Sequence, residues 1–105
     1  MQLPRTTDPE PPRRRPAGKR ARDTARAYAE ADYSEPHDAV VDRFVARFPS
    51  VARGRLLDLG CGPADVTLRL ARRLPAMAVT GVDGSDAMLA LGRAAVARER
   101  LAERV

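Results

Sequence analysis

Two carboxylates, Asp58 and Asp83, and a glycine turn carry most of the chemistry this sequence offers. Asp58 stands two residues before the run Gly60-Cys61-Gly62-Pro63, Asp65 lies three residues after Gly62, and Asp83 follows Asp58 by 25. Glycines let a ligand come close to the main chain. Where a strand turns into a helix, backbone N–H groups and the positive end of the helix dipole meet at one point. A small-molecule site is the natural reading, and charge narrows it. The dinucleotide fingerprint G-x-G-x-x-G needs a third glycine where this chain has Asp65, and Asp58 adds a second negative charge. A pyrophosphate would be repelled, so the site suits a ligand that is not strongly anionic.

The elements that must position these residues are legible from periodicity. Leu56, Leu57 and Leu59 form a short apolar run read as a buried strand, stopped by the glycine turn. Val66, Leu70 and Leu74 then recur every fourth residue, with Arg69, Arg72 and Arg73 pointing away, as on an amphipathic helix. Pro75 ends that helix, and Ala78 to Val82 reads as a second strand in which Gly81 leaves room for close backbone approach. A strand-helix-strand unit takes about 30 residues, and parallel sheets bind ligands at the carboxyl ends of their strands. Both carboxylates therefore reach one rim. A carboxylate can accept from two adjacent hydroxyls, which suits Asp83 to a ribose diol. A nicotinamide cofactor would use the same device, so the glycine turn has to decide. S-adenosyl-L-methionine fits the turn, because its ammonium and sulfonium charges outweigh its one carboxylate and it carries no phosphate.

The segments LLDLGCGPAD and VTGVDGSDAMLALGRAAV resemble the first two cofactor-binding motifs of the class I S-adenosylmethionine-dependent methyltransferases. The resemblance covers about residues 28–105 and is specific from Leu56 to Val96. It implies a small-molecule cofactor wrapped at its methionine end by a D-x-G-x-G-x-G loop, to which Asp58, Gly60 and Gly62 correspond, with Cys61 between the glycines. Ala64 stands where the third glycine usually is, which tightens the loop's steric tolerance without removing main-chain donors. Asp83 corresponds to the acid that holds the ribose hydroxyls. Gly84, Ser85 and Met88 fall near adenine, and Tyr33 is a candidate contact from the helix that precedes the first strand. The implied fold is α/β: the first βαβα part of a Rossmann-like sheet, preceded by a helix, with the sheet truncated after its second strand. Val105 is about where a third strand should begin. The implied reaction is methyl transfer to an acceptor that the sequence does not identify, by a chain expected to be inactive alone. Alternatives are a cofactor-binding or interaction module without catalysis, pairing through an open sheet edge, and a fragment of a nicotinamide-dependent oxidoreductase.

Several residues have competing roles. Asp65 either caps the helix that follows or touches the ligand. Cys61, small and next to no histidine, fits between the glycines rather than acting as a nucleophile. Met88 on an apolar stripe is core or adenine contact. Val40, Val41, Phe44, Val45 and Phe48 form the stripe of a helix that begins near Pro36 and packs on the sheet, with His37 at its surface. Gly54 is read as the turn before the first strand. Arg100 stands where relatives commonly stop the last helix with glycine, so that helix is expected to run on to about Ala102.

Composition sets the frame. The chain has 105 residues, 9 prolines, one cysteine and a formal charge of +5, room for one small domain at most. Residues 1–26 hold 8 basic and 3 acidic groups, which accounts for all of the net charge. The remainder is neutral, so the high pI gives no reason to expect nucleic-acid binding by the folded part. Residues 1–22 are Pro- and Arg-rich and read as a disordered tail, with 23–105 as the cofactor-binding part. No run is long enough to cross a membrane, and the lone cysteine makes no internal disulfide, pointing to a cytoplasmic protein.

Overall fold

The computed structural model describes residues 17–105, and residues 1–16 of the Pro/Arg-rich stretch therefore lie outside the described residues. Six elements follow in order: α1 (Lys19–Glu30), α2 (Ser34–Arg47), β1 (Arg53–Leu59), α3 (Asp65–Arg73), β2 (Ala76–Val82) and α4 (Asp86–Arg98). Helix α1 starts at Lys19, inside the stretch assigned to the tail, because Ala25 buries itself where α1 packs on α4. Strands β1 and β2 pair in parallel, in register from Arg53 opposite Ala76 to Leu59 opposite Val82. The fold class read from the sequence is thus observed: a helical arm, then βαβα with an unclosed sheet.

All helices that touch the sheet lie on one of its faces. On that face Leu56 pairs with Val79, and Met77 and Val79 are buried against Leu70, Ala71 and Leu74 of α3 and Val41 of α2. A second cluster, Ala64, Leu68 and Val96, joins the glycine loop and α3 to α4. The opposite face is bare: Leu57 is 58% exposed, Leu59 74% and Val82 46%. The expectation of a buried first strand is therefore corrected, since period two sends Leu57 and Leu59 to the side that no helix covers.

Three boundaries also differ from the sequence reading. Gly54 is not a turn but a strand residue at φ 119°, within β1. Helix α2 begins at Ser34, so Pro36 sits inside its first turn. Its main neighbour is α3 rather than the sheet; Val41, Phe44 and Val45 reach the core, whereas Val40 and Phe48 stay exposed. Helix α4 ends at Arg98 instead of running on to Ala102. Arg100 adopts the left-handed conformation itself, at φ 57°, with its N–H donating to Ala97 O and that of Leu101 donating to Val96 O. That is the Schellman geometry, which glycine favours but does not monopolise.

Beyond α4, Val79 N–H donates to Arg104 O at 2.7 Å, so the chain begins to pair with the outer edge of β2. The Arg104 guanidinium donates to Ala71 O at 3.0 Å and Met77 O at 3.1 Å. It thus satisfies a last-turn carbonyl of α3 and places positive charge at the negative end of the helix.

Candidate functional site

The carboxyl ends of β1 and β2 bring Asp58 and Asp83 onto one rim, with the glycine loop between them. Register puts Leu59 opposite Val82, and the main chain locks the loop at that point: Gly60 N–H and Cys61 N–H both donate to Val82 O, at 2.7 and 3.0 Å. Gly60 (φ 73°) and Gly62 (φ 55°) take conformations that glycine tolerates without cost. Ala64 takes a similar one at φ 72°, so the alanine departure lies at a truly left-handed position.

Asp83 acts first on the protein itself. Its Oδ2 accepts from Gly62 N–H at 2.9 Å and its Oδ1 from Ser85 N–H at 2.8 Å, which fixes the carboxylate against the loop. Each oxygen retains a second lone pair. Asp58 is held by a residue the sequence reading missed: Thr67, fully buried on α3, donates from Oγ1 to Asp58 Oδ2 at 2.7 Å. The signal was available, because position 67 lies on the same helical face as Leu70, Ala71 and Leu74, where a hydroxyl needs a partner. The turn thus spends the N–H groups of Gly60, Cys61 and Gly62 internally. The rim nevertheless stays open, since a Cβ added at Gly60 or Gly84 would meet nothing within 4 Å.

Gly81 makes room for a side chain rather than for backbone. A Cβ there would lie 2.7 Å from Cys61 Sγ and 2.9 Å from Cys61 Cβ. Burial, together with the Asp58 and Asp83 carboxylates, pushes the Cys61 thiol up. A thiol kept protonated is a poor nucleophile, in line with the packing role. Beside it, a largely apolar cavity of about 370 Å³ opens between the loop and α4, lined by Cys61, Gly62, Gly81, Leu89 and Val96 among others. Ser85 caps α4 by accepting from Met88 N–H at 3.2 Å, while Met88 itself borders a groove between α1 and α4 with Gly18 and Ala21.

On the other side of the loop lies a small pocket of about 90 Å³ bordered by Tyr28, Tyr33, His37, Pro63 and Asp65. Tyr33 stacks between Tyr28, at 5.0 Å, and His37, at 5.5 Å. Asp65 does not cap α3, whose preceding residue Ala64 provides no side-chain bond either. Its Oδ2 instead meets His37 Nδ1 at 2.5 Å and accepts from Arg69 Nε at 2.8 Å. His37, expected at the surface without a partner, has one that sits 28 residues away and could not be seen in sequence. Among the described residues no cluster of metal-ligating side chains occurs and no helix is long and apolar enough to cross a membrane.

A parallel strand-loop-helix-strand unit with acids at both strand ends has the architecture of a Rossmann-like module, a class of fold whose ligands bind at that rim. Residues 56–105 match the methyltransferase domain family. The trans-aconitate 2-methyltransferase of Variovorax paradoxus is 42% identical over 69 residues, covering 66% of this chain and 25% of the relative. That of Enterobacter is 52% identical over 48 residues, 46% of this chain and 19% of the relative. Among solved structures, a protein assigned as an S-adenosyl-L-methionine-dependent methyltransferase from Methanococcus maripaludis superposes with a TM-score of 0.72 at 20% identity, covering 89% of this chain and 43% of its own. Coclaurine N-methyltransferase, bound to N-methylheliamine and S-adenosylhomocysteine, gives 0.57 at 27% identity, covering 68% and 20%. Through residues 56–105, just under half of its length, the chain is similar to the methyltransferase domain family, and its fold is that of the solved methyltransferases. It spans a quarter or less of the length of these curated relatives.

Proposed function

We propose that the rim binds S-adenosyl-L-methionine and that the protein transfers its methyl group to an acceptor. The observation that carries this reading is the placement of Asp58 and Asp83 on one rim at either side of a glycine loop, with Gly62 N–H bonded directly to Asp83 and Asp58 oriented by Thr67. Such a donor set fits an ammonium and a diol and opposes a pyrophosphate, which also argues against the nicotinamide alternative. Asp58, oriented by Thr67, faces the ammonium end. Gly60, Cys61, Gly62 and Ala64 supply the main-chain wall. Asp83, held by Gly62 and Ser85, accepts from the ribose hydroxyls, with Gly84, Ser85 and Met88 on the adenine side. Tyr33 borders the methionine end, and Asp65 supports the loop from behind rather than touching the ligand.

When bound, the cofactor supplies an electrophilic sulfonium methyl. The contribution of this chain is to orient that group for in-line attack, which is catalysis by proximity. The match to the trans-aconitate enzymes spans a quarter or less of their length, so it carries no acceptor over to this chain. The bare leucines of β1 favour a second reading, in which the open sheet pairs with another polypeptide; association that grows with concentration in sedimentation would support it. We place the protein in the cytoplasm on its cysteine usage.

Calorimetric titration with S-adenosylhomocysteine, with NAD as competitor, tests the assignment. Binding that Asp83→Ala reduces at least about tenfold is expected, since a charged acceptor and two main-chain bonds are lost together. Preference for NAD, or binding indifferent to Asp83, would reverse it.

A further inference from the structure

We propose that His37 is a positioning residue for the cofactor loop, acting through Asp65, and that the arm formed by α1 and α2 seats most firmly on the loop when the imidazole is charged. The inference rests on the cofactor reading above. Three polar rungs join α2 to α3: His37 Nδ1 to Asp65 Oδ2, Arg69 Nη1 to Asp38 Oδ1 at 2.7 Å, and Arg73 Nη1 to Asp42 Oδ1 at 2.9 Å. Of these, the His37 rung is the one that ends beside the glycine loop, because Asp65 directly follows the left-handed Ala64. Arg69 Nε donates to the same Asp65 oxygen from within α3, at 2.8 Å, which fixes the carboxylate to the helix.

The imidazole reaches the loop by a second route. Its ring, on a side chain only 18% exposed, stacks on Tyr33 and through it on Tyr28. Tyr28 Cε1 lies 3.9 Å from where a Cβ on Gly62 would stand. The arm therefore approaches the loop at Gly62 through tyrosine and bonds Asp65, the first residue of α3, through histidine.

The charged and titratable groups around the ring are Asp65 and Arg69 from α3, Asp38 on its own helix, Tyr28 from α1, and Tyr33 and Asp32 from the connection. Asp32 is committed to Ser34, whose N–H donates to it at 3.0 Å. Three carboxylates thus face one guanidinium. A charged imidazole offsets part of that imbalance and turns the His37 rung into an ion pair, whereas a neutral ring retains only a hydrogen bond, the weaker of the two.

His37 is the chain's single histidine, which makes the test clean. Affinity for S-adenosylhomocysteine is measured calorimetrically from about pH 5.5 to about pH 8, the span in which an imidazole changes charge. The expected result is a decline of about three- to tenfold as pH rises, the size of one charge-assisted contact discounted for partial exposure. His37→Gln flattens the profile. Asp42→Asn, which removes a rung remote from the loop, leaves the slope in place. A slope that persists in His37→Gln, or a flat wild-type profile, overturns the proposal. Should S-adenosylhomocysteine fail to bind at every pH, the cofactor reading falls instead, and NMR decides the proposal separately. The Ala64 and Asp65 amide signals must follow the imidazole titration; if they stand still, the rung does not reach the loop.

Discussion

The glycine loop and the exit of α4 each turn on a non-glycine residue in the left-handed conformation, and the two are supported differently. Ala64 is buried at the loop, its methyl seated against Gly92. Arg100 is exposed, and its turn is held by two main-chain bonds, from Arg100 N–H to Ala97 O and from Leu101 N–H to Val96 O. A left-handed L-residue costs about 1–2 kcal/mol. At the loop the residue's own burial offsets that cost; at the helix exit Arg100 itself buries nothing, and the support comes from the turn's two main-chain bonds and from Leu101 packed against the cluster that holds Val96. One backbone conformation can thus be held by its own side chain in one place and by its neighbours in another.

The strongest way to break the comparison is Gly92→Ala. The added Cβ would lie 3.2 Å from Ala64 Cβ and 3.3 Å from the Pro63 carbonyl carbon, so the loop backbone would have to give by a few tenths of an ångström. A loss of about 1–3 kcal/mol in urea denaturation is expected, as for other overpacked sites. Adding Ala64→Gly should recover part of it, and full additivity of the two changes would show that the residues do not hold one another. Arg100→Gly sharpens the other side. It should stabilise by about 0.5–1 kcal/mol, the relieved strain less the extra chain entropy of glycine. Ala64→Gly alone should move stability by less than about 0.5 kcal/mol, because losing a buried methyl of about 0.8 kcal/mol nearly cancels the strain it relieves.

The smallest effect concerns acid. Burial tends to raise the Asp65 carboxyl, but hydrogen bonds and charge from Arg69 and His37 outweigh it and hold the group below its ordinary value of 3.8. A lowered folded value means stability that is present above pH 3.8 and is lost as pH falls through the folded value. Asp65→Asn should therefore flatten the acid limb slightly, and only slightly, because the Asp65 side chain is 43% exposed.

Much of the site was readable because its signals are local. Asp58, Gly60 and Gly62 lie within five consecutive residues, and Asp83 follows at the length of one strand-helix-strand unit. Thr67 was readable in principle and missed, since its hydroxyl falls on an apolar face. His37 and Tyr28 were not readable as neighbours of the loop. Their partners Asp65 and Gly62 are tens of residues away, and only the docking of the arm brings them together. The same holds for Arg104, whose guanidinium finds the end of α3 across some 30 residues.

The sequence by itself determined the order of elements from α2 onward, the strand-turn-helix junction and the acids on its rim, because periodicity, glycine and short spacing act over a few residues. Tertiary structure decided which face of the sheet is covered and where α4 stops. It also decided that Asp83 and Asp58 answer first to Gly62 and Thr67, and that a histidine of the arm reaches the loop. Those outcomes depend on how helices pack across long chain separations, and no local pattern encodes that.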